Sequence, residues 1–152
     1  MSKNKILIYA NMLVFSIFIM SCSSQEYTTA KLAIQQSDFS KASEWLPKAM
    51  EVEPDNPEIP MVMAIEIHAE NEDWKDMIAL FDRAMEINPE KVVEIRGAFI
   101  SVKEAVSNYV EFYWAKEFNE GVAQFKKMQD DPENKQDYPV SYTHLTLPTI
   151  YS

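Results

Sequence analysis

Side chains able to do chemistry are few in this chain, and their spacing suits little of it. Cys22 is the only thiol, so no disulfide can form within the chain. Histidine occurs at His68 and His144. His68 falls in a helical stretch and reads as a packing residue rather than a base or a metal ligand. Carboxylates are abundant, as in Glu70, Glu72 and Asp73, or Asp130 and Asp131. None stands with a histidine, cysteine or glycine-rich loop at a spacing that acid–base or nucleophilic catalysis requires. A calcium loop needs alternating oxygens around a central glycine, and the only glycines are Gly97 and Gly121. Neither a phosphate-cradling motif nor a nucleophile elbow is present. Methionines and aromatics serve a core better than a cofactor. The expectation is a non-enzyme with no cofactor and no metal, whose work is binding.

The elements that would present such a surface are organised by a repeat. Lys48-Ala-Met-Glu-Val-Glu-Pro54 returns 35 residues later as Arg83-Ala-Met-Glu-Ile-Asn-Pro89. Asp38-Phe39 returns as Asp73-Trp74, and Leu46 as Phe81. A fixed period of this size means units that bury their apolar faces against their neighbours. Scarce glycine argues for helices over tight-turned sheet. Helices are expected near Glu26–Gln36, Ser40–Glu53, Glu58–Asn71, Trp74–Ile87, Glu90–Lys116 and Glu117–Asp130. Pro54 and Pro89 stop two of them. Asp55-Asn56-Pro57 offers a cap with proline in the first turn, whereas Pro47 falls inside a helix and should kink it. In the long fifth helix, Val92, Ile95, Phe99, Val102, Val106, Tyr109 and Tyr113 recur at spacings of three and four, one continuous apolar stripe. Phe112 and Trp114 add a second face, and Gly97 is a place for this helix to bend or split.

These residues resemble the tetratricopeptide repeat, a helix–turn–helix unit. The resemblance implies an all-α fold: a solenoid of about three repeats, near 26–56, 57–90 and 91–132, within a domain spanning 26–134. Its packing positions fall on Ala42, Leu46, Ala49 and Pro54, then on Met77, Phe81, Ala84 and Pro89. A looser third copy has Glu117-Phe118 in the place of Asp73-Trp74, with Gly121 and Phe125 at the small and large positions and Pro132 closing the unit. The first-helix signature is poorer, with Ala30 at the small position but Ile65 and His68 in the second copy. The family's groove would be lined by Tyr27, Thr28 and Lys31, by Val62, Met63 and Glu66, and by Val106, Val110, Tyr113 and Trp114. Its carboxylate-clamp pattern is missing, so the implied partner is an apolar or amphipathic protein segment. Alternatively, the same stripe packs against further repeats.

The N-terminus reads as a leader. Lys3 and Lys5 precede an apolar run from Ile6 to Met20, long enough for a signal-peptide core and short for a membrane span. It ends at Ile19-Met20-Ser21-Cys22, which resembles the lipobox of bacterial lipoproteins, with Met20 bulkier than usual. The resemblance implies cleavage of a signal peptide at 1–21, acylation of Cys22 and a lipidated tether at 22–25. Multiple acyl chains make a lasting anchor. Ser23, in place of a retention aspartate, favours the outer membrane, with the protein facing the periplasm. With Lys3 and Lys5 removed, 12 basic groups face all 24 acidic ones. Such a surface repels nucleic acid and anionic headgroups.

The C-terminus is foreign to the pattern. Residues 135–152 read as a disordered tail, and after Asp137 no charged residue occurs. Val140-Ser-Tyr-Thr-His-Leu-Thr-Leu-Pro-Thr149 resembles a translated sequencing-library adapter, so 140–152 is taken as non-native and His144 as irrelevant to chemistry. Natural sequence is then expected to end near Pro139, with more repeats beyond. The functional expectation is a lipid-anchored repeat protein binding other envelope proteins, possible partners lying in outer-membrane assembly. Two alternatives stay open: the N-terminal part of a nutrient- or glycan-capture lipoprotein, or of an enzyme whose catalytic domain lies further on.

Overall fold

The computed structural model describes residues 23–130, which divide after Pro54 into two compact units. The leader, the lipobox at Ile19, Met20, Ser21 and Cys22, and the chain from residue 131 onward lie outside the described residues. The described chain is mostly helical.

The first unit is a helix–turn–helix of α1 (Gln25–Gln35) and α2 (Phe39–Val52). Ser24 starts α1, its hydroxyl accepting from the Tyr27 amide at 3.1 Å, which satisfies one of the orphan donors of a helix start. The Ser24 amide donates to Glu53 Oε1 at 2.6 Å, tying the start of the unit to its end. At the turn, Ser37 is left-handed with φ of 57°. The Ser37 amide donates to the Ile34 carbonyl and the Asp38 amide to the Ala33 carbonyl, both at 2.9 Å. These two bonds make a Schellman ending. Asp38 then caps α2 through the Lys41 amide at 3.1 Å. Tyr27, Ala30 and Ala33 from α1 and Ala42, Leu46 and Ala49 from α2 are buried. Their three- and four-residue spacing gives each helix one apolar stripe. α2 runs through Pro47 as a single helix.

The second unit repeats this plan and then departs from it. Asn56 Oδ1 accepts from the Glu58 amide at 3.2 Å and opens α3 (Glu58–Met63), which passes into one π-helical turn, Ala64–His68. Glu72 repeats the left-handed φ of 57°. Its amide donates to the Ala69 carbonyl at 3.2 Å, and the Asp73 amide to the His68 carbonyl at 2.9 Å, the same Schellman pair. α4 (Trp74–Ile87) buries Trp74, Met77, Phe81 and Ala84.

Beyond Pro89 the structure corrects the sequence reading. The helix expected over Glu90–Lys116 begins as an antiparallel hairpin, β1 (Val92–Ile95) paired with β2 (Ala98–Ser101) in the register Ile95↔Ala98 and Val92↔Ser101. Arg96 and Gly97 form its two-residue loop with φ of 49° and 80°, both positive as a type I′ turn demands. Gly97 therefore closes a hairpin and does not bend a helix. Val93 and Ile95 are buried while Val92 and Glu94 are exposed, an alternation of period two. β-Branched and aromatic residues favour this pleated surface.

α5 (Val102–Asp130) follows directly and is unbroken. The second helix expected at Glu117 is its continuation, so the helix–turn–helix expected over 91–132 is absent from the described residues. Gly121 and Phe125 do not pack: both are exposed, Phe125 by 50%. The first half of α5 is inserted in the unit through Val102, Ala105, Val106 and Tyr113.

Candidate functional site

The richest cluster of polar and aromatic groups lies within the second unit. Arg96 is held at the hairpin loop and forks onto the helical turn that follows α3. Its Nε donates to Glu66 Oε1 at 2.8 Å and its Nη2 to Glu66 Oε2 at 3.2 Å, a two-point pairing. Nη2 also donates to Glu70 Oε1 at 3.0 Å. The hydrogen bonds donated to Glu66 hold the guanidinium above its already high pKa, against the opposing effect of burial. It remains a fixed cation.

Aromatic rings continue this face. Tyr113 sits 5.5 Å from Trp74, 6.2 Å from Tyr109 and 5.1 Å from Phe112, centroid to centroid. Burial pushes the phenols of Tyr109 and Tyr113 up, and the Arg96 charge partly opposes it. Both stay neutral at physiological pH. Further along α5, Trp114 stacks on Phe118 at 5.3 Å and 11°. Trp114, Phe118, Val122 and Phe125 are exposed large apolar residues, spaced four, four and three along the helix.

The groove residues expected from the sequence separate into different environments. Tyr27 and Tyr113 are 1% and 4% exposed, so both are core residues rather than groove contacts, as are Val62 and Val106. Lys31 lies over the Tyr27 ring at 5.1 Å. Met63 and Val110 are half-buried, and Glu66 is taken by Arg96. Thr28 and Trp114 are exposed. Among the packing residues, Ala42, Leu46, Ala49, Phe81 and Ala84 are fully buried. Pro54 is exposed and Pro89 half-buried.

Two features escaped the sequence reading. Arg96 pairs across 30 residues with Glu66, which needs the hairpin that was not foreseen. His68 does meet a carboxylate: its Nδ1 lies 3.1 Å from Asp73 Oδ2. The ending of a helix in a Schellman turn brings the third residue from its end beside the second residue past it, and that five-residue offset was the available signal. Neither cluster contains a nucleophile–base pair.

The class these features define is a mostly helical protein with an acidic–aromatic face. No family model matches the chain, and no curated protein or solved structure matches it.

Proposed function

We propose that this is a lipid-anchored helical repeat protein of tetratricopeptide type, facing the periplasm and binding other envelope proteins. The observation that carries this reading is the recurrence of one backbone design at the sequence period. Ser37 and Glu72 share a φ of 57°, and each is followed by an aspartate and a 14-residue helix. Units built this way serve as binding scaffolds rather than as catalysts. The exposed stripe of Trp114, Phe118, Val122 and Phe125 suits an amphipathic helical segment, whose apolar face would cover it.

Two experiments on the chain expressed in a bacterial envelope test the reading. Metabolic labelling with a fatty-acid analogue should mark the protein and fail for Cys22→Ser. A photo-crosslinking residue at position 118 should give a discrete adduct that Trp114→Asp abolishes. An unlabelled protein removes the anchor, and the absence of any adduct removes the binding stripe.

A further inference from the structure

The turn between α3 and α4 carries a ligand set that its counterpart between α1 and α2 lacks. His68, Asp73 and Asp76 each offer one ligating atom, and these atoms lie within 4.8 Å of one another. His68 Nδ1 and Asp73 Oδ2 are 3.1 Å apart. Tetrahedral coordination at about 2.1 Å would set neighbouring ligand atoms about 3.4 Å apart, so this pair already stands at a coordination edge.

The internal duplication separates what the fold needs from what has been added. The residues 35 positions earlier are Ala33, Asp38 and Lys41. The two aspartates share their backbone conformation, with φ and ψ of −88° and 73° at Asp38 and −85° and 70° at Asp73. Asp38 caps the following helix, whereas the Asp73 side chain makes no cap bond and turns to His68. The same Schellman turn thus forms with an alanine and a lysine flanking the aspartate. Folding of this turn requires neither an imidazole at 68 nor a second carboxylate at 76.

We propose that His68, Asp73 and Asp76 form a surface site for a divalent transition cation, with Zn²⁺ the best match. Imidazole selects for zinc and its neighbours over magnesium and calcium. Three protein ligands leave a coordination position open to water or to a partner's side chain. Because the ligands must be deprotonated, binding weakens on acidification.

The test is calorimetric titration of the full chain, in detergent and without a histidine tag, with Zn²⁺. Saturable binding of one ion per chain is expected. The double variant His68→Ala/Asp76→Lys installs the residues that the first unit carries at these places, so the turn should keep its fold; a metal-free melting curve checks this. It should lose affinity by about tenfold or more, while the control variant Cys22→Ser/His144→Ala binds as the parent does. Co²⁺ should give a visible spectrum of nitrogen and oxygen ligation. Absence of saturable binding overturns the site. So does binding that survives the double variant, or that disappears in the control.

Discussion

The turns at 36–38 and 71–73 are the same piece of backbone put to different use. Each ends a helix with a left-handed residue that is not glycine, Ser37 or Glu72. Each then hands the chain to an aspartate that begins the next helix. In the first unit that aspartate is spent on the Lys41 amide; in the second it faces His68. The lesson is that a repeat conserves the bonds of its backbone, while side chains left free by that backbone can take up new partners.

The comparison can be broken most forcefully in the cores. Leu46 and Phe81 occupy equivalent, fully buried places. Leu46→Ala should cost about 2–5 kcal/mol and Phe81→Ala about 3–5 kcal/mol, since each leaves a cavity. Urea unfolding measures both. Phe125→Ala, by contrast, should stay within about 0.5 kcal/mol; a loss as large as that of Phe81 would mean that Phe125 packs in solution.

The caps come next. Asp38→Ala should destabilise by about 1 kcal/mol through loss of its cap bond. Asp73→Ala, measured without metal, should cost a few tenths of a kcal/mol, because its pair with His68 is partly exposed and the helix loses no cap bond. Equal losses in thermal melts would erase the distinction between the two turns.

Of similar size are the effects at the left-handed positions. Ser37→Gly and Glu72→Gly should each stabilise by up to about 1 kcal/mol, since glycine adopts this conformation without steric conflict. Matching gains would sharpen the equivalence of the turns. Destabilisation by either would show that the side chain makes a contact worth more than the strain.

The last difference lies in the rings. Tyr109 and Tyr113 have raised phenol pKa values in the folded chain, so folding favours their neutral form. Their contribution is complete below the ordinary tyrosine range, about pH 10, and is lost as pH rises through that range toward the folded values. Denaturant midpoints followed into alkali should fall there, and the fall should be shallower for Tyr113→Phe.

The sequence made the first two helix pairs legible because their ends carry chemical punctuation. Asp55-Asn56-Pro57 offers a cap, and Pro54 and Pro89 follow helices directly. The region after Pro89 was misread for a physical reason. Val92, Ile95 and Phe99 satisfy the three-and-four spacing of a helix, while Val93 and Ile95 also satisfy the alternation of a strand. The deciding feature is the Arg96-Gly97 loop, where two consecutive residues take positive φ. α5 was divided in two because Phe118 matched an aromatic of the repeat. A single solvent-exposed glycine, however, weakens a helix without ending it. The candidate site was less legible still, since Glu66, Arg96 and Tyr113 come together only once the hairpin exists.

The exposed end of α5 has a mechanical meaning. A detached helix of its length would be marginal in water, but one that grows from an anchored first half escapes the cost of nucleation. The segment from Phe118 to Asp130 is about 20 Å long at 1.5 Å per residue, a cantilever clamped behind the Lys116–Glu72 ion pair. Amide exchange should therefore quicken stepwise toward its tip. A partner settling along it would meet a helix already formed, with little chain left to order on arrival.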